Sequence, residues 1–221
     1  MHDLDGYLRL QQFADSALPV GGAAHSFGIE SLIDCGLLHV DDLEDFLSEY
    51  LTEVGALEAS YCAASCGMKD LDAWVGLNIQ LGARKPARES REASMAMGRR
   101  FLKLAASVIG VELLIAAAER SAEVHSAPCF GLVAGVMGIE RELAAAAYLH
   151  QSIATLIYCC QRLLALGQTR AQEILWNLKP RIAETARRGS RIDVSCAACF
   201  TPLLDIASAR HPGLSTRLFI S

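Results

Sequence analysis

The sequence predicts an all-α protein, a single-domain bundle of about ten helices. Three observations carry this. Apolar residues recur at three- and four-residue spacing through most of the 221 residues. No stretch sustains the two-residue alternation of a half-buried strand. The 52% apolar content comes mainly from Ala, Leu, Ile, Val and Cys, with 6% aromatic, and small side chains let helices approach closely.

The first helix covers 5–14, with Tyr7, Leu10, Ala14 and Ala17 on one stripe. Pro19 ends it, because it lacks an N–H and biases Leu18 away from helical geometry. Gly21 and Gly22 supply positive φ or close backbone approach. Ser26 caps a helix running to residue 33, with Glu30 in its first turn near the positive dipole end. A helix from Asp41 or Asp42 carries Leu43, Phe46, Leu47, Tyr50, Leu51, Val54 and Leu57, and continues, bent, to Cys66 before Gly67. Helices follow over 70–81 and 88–107, joined by Arg84-Lys85-Pro86. Residues 109–118 are apolar with Gly110 weakening the helix, and 119–126 reads as a loop. Pro128 opens the next helix, where Gly131, Gly135 and Gly138 predict a tight packing seam. A long helix spans 140–166 and ends at Gly167. The next covers 172–188, interrupted or kinked before Pro180, and a weaker one covers 193–209 and contains Pro202. The domain is 1–213; residues 214–221 form a C-terminal tail.

The net charge of −5 conceals an asymmetry. Residues 1–60 hold one base against twelve acids, and 162–221 hold nine bases against four acids. Such poles suit faces that meet each other or protein partners, or simply solvated helices, and they disfavour nucleic acid. Eight cysteines in mostly apolar, helical sequence read as small buried hydrophobes in a reducing compartment. The N-terminal residues show no signal-peptide pattern. The apolar run 143–161 carries His150, Gln151 and Gln161 on one side and reads as a buried core helix rather than a membrane span.

Catalytic patterns are absent. There is no P-loop, no dinucleotide fingerprint, no Gly-x-Ser-x-Gly elbow and no Glu-x-x-His pair. Cys196 and Cys199 form one Cys-x-x-Cys, two short of a closed zinc site. His25, His125 and His211 fall in or near loops and suit recognition, a transient metal contact, or the role of an ordinary surface or hydrogen-bonded histidine. Arg88 and Glu92 are placed for an intrahelical pair on a charged face with Glu89 and Arg91.

Several stretches, taken together and in order, resemble the urease accessory protein UreF family. Ser16-Ala17-Leu18-Pro19-Val20-Gly21 and Ser26-Phe27-Gly28-Ile29-Glu30 resemble its N-terminal signature. The stretch 89–98, with Glu89, Arg91, Ser94 and Gly98, is similar to a mid-chain segment. His125 to Gly131, Leu166-Gly167-Gln168, the run 202–211 ending in Arg210-His211, and Thr216-Arg217-Leu218-Phe219-Ile220-Ser221 resemble later ones. Ala23, Ala24, His25, Phe27 and Ala96 depart from the family pattern.

The resemblance implies an all-helical, dimer-forming cytoplasmic scaffold without catalytic activity, cofactor or bound metal. Its implied partners are UreD (also called UreH), the GTPase UreG and apo-urease, with nickel insertion as the outcome. It marks Pro19, Gly21, Ser26, Gly28, Glu30, Glu89, Arg91, Ser94, Gly98, Gln168, Arg210, His211, Arg217, Leu218 and Phe219 as positions for partner binding or assembly. The tail is expected to become ordered against a partner. A competing class is a helical metal carrier using Cys196, Cys199 and a nearby His.

Overall fold

The computed structural model describes residues 4–120 and 122–221. Residues 1–3 of the leader reading and Ser121 of the predicted 119–126 loop lie outside the described residues. The described chain is helical with no strand. Its α-helices are α1 (Leu4–Phe13), α2 (Ile29–Asp34), α3 (Leu43–Tyr50), α4 (Ala56–Ser65), α5 (Leu71–Ala83), α6 (Arg88–Ile109), α7 (Glu112–Arg120), α8 (Ser126–Val136), α9 (Arg141–Leu163), α10 (Gln168–Asn177), α11 (Lys179–Gly189) and α12 (Pro202–Arg210).

The centre is a triad of α4, α8 and α9, flanked by α6 and α11. Helix α4 is buried on every side, with only Ala64 partly open, as a helix apolar all round must be. The predicted glycine seam is formed by Gly131 and Gly135, while Gly138, past the end of α8 at φ 76°, has nothing within 4 Å of its Cβ position. A Cβ on Gly131 would lie 1.9 Å from the Cys62 carbonyl oxygen, and one on Gly135 would lie 2.2 Å from the Gly67 nitrogen. Backbone of α8 therefore rests directly on backbone at α4 and its end. Helix α9 is long and apolar enough to cross a membrane, yet 61% of its most apolar window is buried inside the bundle. Its inner face carries Leu149, Ile153, Leu156, Ile157 and Cys160.

The bent helix over 43–66 is resolved into α3, a π-helical turn Leu51–Gly55, and α4. Asp70 caps α5, its Oδ1 accepting from the N–H groups of Asp72 and Ala73 at 2.9 and 3.2 Å. Gly110, at φ 70°, closes α6, so the apolar stretch after it forms α7.

Three boundaries differ from expectation. Ser26 does not cap α2; Gly28 at φ 91° takes that position, and no side chain caps it. The predicted 172–188 helix starts earlier, at Gln168, and is interrupted before Pro180 as expected, as two helices meeting at Leu178 with Pro180 in the first turn of α11. The predicted 193–209 helix begins only at Pro202, where a missing N–H costs nothing. The loop before α12 is held from outside: Arg84 donates to the carbonyls of Ala197, Val194 and Ser195 at 3.0, 3.2 and 3.3 Å.

Candidate functional site

The N-terminal break and the 214–221 segment come together. Gly21 sits at φ 86° and Gly28 at φ 91°. A Cβ on Gly21 would meet the Arg100 guanidinium, and one on Gly28 would lie 3.0 Å from the Leu204 carbonyl oxygen of α12. These glycines are required by conformation and by space. Glu30, buried, accepts from His211 Nε2 at 2.7 Å and from the Leu218 backbone N–H at 2.7 Å. The Ser26 N–H donates to the Ser221 carbonyl, and the Ile220 N–H to the Ala24 carbonyl at 2.8 Å. His25 Nδ1 meets Ser221 Oγ at 2.7 Å. Burial, and then the Arg100 charge, lower the His25 pKa. Phe219 is buried under the Arg162 guanidinium, 4.5 Å from its ring centre. The segment expected to need a partner for its order is seated, in the single chain, on this chain's own break.

The mid-chain positions build a second cluster inside the bundle. A Cβ on Gly98 would lie 2.3 Å from the Val124 carbonyl oxygen, so α6 presses onto the loop that carries His125. Ser94 Oγ then reaches His125 Nδ1 at 3.1 Å and Ser126 Oγ at 3.2 Å. Ser126 Oγ meets the Tyr148 hydroxyl at 3.0 Å. The Tyr148 hydroxyl donates to Glu58 Oε2, and Lys85 Nζ donates to Glu58 Oε1. At the other end His125 Nε2 lies 3.2 Å from Glu123 Oε1. The result is one hydrogen-bonded chain from Lys85 through Glu58, Tyr148, Ser126 and Ser94 to His125, whose Nε2 faces Glu123.

Its direction follows from donor counting. Burial alone would raise the Glu58 pKa, but Lys85, the Tyr148 hydrogen bond and the His125 charge together hold it below its usual value. An ionised Glu58 only accepts. Tyr148 must then donate to it, Ser126 to Tyr148, Ser94 to Ser126, and His125 Nδ1–H to Ser94. Burial, and then Glu58, push the Tyr148 hydroxyl well above its usual value, so it keeps its proton. Burial, and then Lys85, lower the His125 pKa against the pull of Glu123 and Glu58.

Glu58, Lys85, Ser126 and Tyr148 also form the polar end of an internal cavity of about 110 Å³. Phe27, Met97, Phe101 and Phe130 form its apolar walls, and Tyr50, Cys199 and Asp205 close it towards α12. Burial raises both the Cys199 thiol and the Asp205 carboxyl. None of Glu58, Lys85 or Tyr148 stood out as a site residue in the sequence. The available signal was an acid and a tyrosine set among the small and apolar residues of α4 and α9.

The remaining expected positions lie apart. Arg91 donates to the Lys85 carbonyl at 2.8 Å, fixing the turn that aims Lys85 inward. Glu89 lies beside Arg88 at the start of α6. Pro19, Gln168, Arg210 and Arg217 are exposed at different places. Cys196 is exposed and Cys199 half-buried, its thiol 3.6 Å from Thr201 Oγ1. Among the described residues no three His, Cys, Asp or Glu side chains are placed to hold a metal ion.

The outer surface has one aromatic groove. Tyr7 and Leu10 of α1, Ala147, His150, Ala154 and Tyr158 of α9, and Trp176 and Lys179 of α10 and α11 line it. Tyr7 is 61% and Trp176 69% exposed. Lys179 Nζ sits 3.9 Å from the Trp176 ring centre, and burial, then Lys179, lower the His150 pKa.

Fold and site together define an all-α protein in which the N-terminal break, the mid-chain cluster and the 214–221 segment bind the chain to itself. The UreF family model matches residues 38–179. The chain is 32% identical to urease accessory protein UreF of Corynebacterium glutamicum (strain R), over 99% of this chain and all of that protein. It is also 32% identical to urease accessory protein F of Arabidopsis thaliana, covering 95% of this chain and 90% of the relative. The same identity holds for UreF of Bacillus sp. (strain TB-90), over 97% and 98%. The chain belongs to the UreF family of urease accessory proteins.

Proposed function

We propose that this protein is a cytoplasmic, non-catalytic maturation scaffold. It bridges UreD/UreH and the GTPase UreG and promotes GTP-dependent insertion of nickel, as cargo, into apo-urease. The observation that carries this reading is the nearly full-length match to urease accessory proteins. The interior supports it: the polar chain ends on hydrogen-bonded partners, as a rigid support does. The 214–221 segment offers Arg217, Leu218 and Ile220 outward as a partner-facing edge.

The scaffold acts as a homodimer, and the aromatic groove is the surface for the second copy. Asp15 and Lys179 line this groove, and neither has an ion-pair partner among the described residues. A two-fold contact would let each meet the other's counterpart, and exposed Tyr and Trp are the anchors such contacts use.

The test is reconstitution of urease activation from purified apo-urease, UreD, UreG, nickel and GTP, with and without this protein. Activation that depends on the chain supports the reading; equal activation without it overturns it. Light scattering on Tyr158→Glu and Trp176→Arg reads the groove separately. Loss of dimer with unchanged helicity is expected, and a persistent dimer in both variants removes the groove from the scheme.

A further inference from the structure

We infer that residues 214–221 are a strap that lifts off the N-terminal break while the bundle stays folded, and that Arg162 is the clamp holding it down. The inference stands apart from the urease reading, because it concerns the isolated chain.

The strap has no regular structure of its own. Past its start, its backbone N–H groups bond across to the break, Leu218 N–H to Glu30 and Ile220 N–H to the Ala24 carbonyl, and its Ser221 carbonyl accepts from the Ser26 N–H. Phe219 is its one large apolar side chain that is buried, while Leu218 and Ile220 face outward. Lifting it therefore exposes little apolar surface. It follows a short 3₁₀ turn, His211–Gly213, which contains Pro212 and supplies a place to hinge.

The closed seat is also imperfect. Among the described residues six buried side-chain polar atoms have no partner, and three of them belong to the seat: His25 Nε2, Ser26 Oγ and His211 Nδ1. A buried polar atom without a partner is costly, and water reaching it on opening returns part of that cost.

Arg162 spans both sides of the contact. From α9 it donates to the Ala23 carbonyl of the break at 3.2 Å and to the Leu218 carbonyl of the strap at 3.5 Å, and its guanidinium covers the Phe219 ring. It is itself exposed, so replacing it leaves the core alone. It acts as a positioning residue for the strap.

Amide hydrogen exchange on the full chain tests this. The Leu218 and Ile220 amides should be protected, yet exchange at least about 100-fold faster than those of Ile153 and Leu156 in α9, and at rates indifferent to mild urea. In Arg162→Met their exchange should rise about 10-fold with α9 unchanged, from loss of the stack and both hydrogen bonds. Unprotected strap amides in the wild type would show that there is no seat. Strap amides that exchange at the α9 rate, or with the urea dependence of global unfolding, would show that the strap opens only with the bundle. Either result overturns the proposal, as does an unchanged strap rate in Arg162→Met.

Discussion

Glu58 shows what a single residue reveals only in three dimensions. In sequence it is one acid in an Ala-rich stretch. Its burial becomes tolerable through Lys85, 27 positions later, and Tyr148, 90 positions later. Removing it strands a buried ammonium, so Glu58→Ala should cost about 3–5 kcal/mol in urea unfolding. The Glu58→Met/Lys85→Met double variant should recover most of that loss, because an apolar pair leaves nothing uncompensated. A double variant as unstable as the single one would show that the pair does more than neutralise itself. The donor order along the chain is separately readable. Nitrogen NMR of His125 should find the proton on Nδ1, and an Nε2–H tautomer would reverse the chain at Ser94. Ser94 and His125 were legible as special positions from family resemblance, but their joint role depends on Gly98 admitting the loop backbone.

At the scale of elements, glycines separate contact from tolerance. Gly131 faces the Cys62 carbonyl with no room for a methyl group, whereas Gly76 within α5 has nothing within 4 Å of its Cβ position. Gly131→Ala should destabilise by about 1–3 kcal/mol through forced separation of α8 from α4. Gly76→Ala should stabilise by about 0.5–1 kcal/mol through helix propensity and a less free unfolded chain. Thermal unfolding of both variants checks the pair, and a shift of the same sign in both would sink this account. The seam was legible because Gly131 and Gly135, four apart on one helix face, have few other uses, whereas Gly138 lies past the helix end and takes no part. Element existence was legible for the same kind of reason: three-and-four spacing marked α1, α3, α6 and α9. The failures were proline and capping decisions. Pro202 fell inside the helix expected over 193–209 and is instead the first residue of α12, because the preceding loop is held by Arg84 from far away in sequence. Ser26 read as a cap, but its backbone pairs with Ser221, which local sequence cannot disclose.

Across the whole molecule, the two charged poles meet. Glu44 of α3 pairs with Arg170 of α10 at 3.1 Å and accepts from Asn177, Arg181 reaches Ser48, and Arg188 donates to the Thr52 carbonyl. These contacts are at or near the surface and add little stability singly, so the acid–base asymmetry fixes orientation more than it strengthens the fold. The pH dependence of stability comes instead from the interior. Burial lowers the pKa of His25, with Arg100 second, of His125, with Lys85 second, and of His150, with Lys179 second, all from a usual 6.5. In the unfolded chain these imidazoles take up protons at a higher pH than in the folded one. Their contribution is therefore complete above 6.5 and is lost as pH falls through the lowered folded values. Glu58, held below its usual 4.5 by Lys85, Tyr148 and His125 despite its burial, adds a second loss at lower pH: its stabilisation is present above 4.5 and disappears as the folded carboxylate protonates. The urea midpoint should accordingly be lower at about pH 5 than at about pH 7.5, and lower again near pH 4. His150→Gln should flatten the first step while leaving the second in place, since His150 lines the outer groove and takes no part in the Glu58 chain. Equal midpoints at the two higher pH values would mean that these imidazoles are as free to protonate in the bundle as in the unfolded chain.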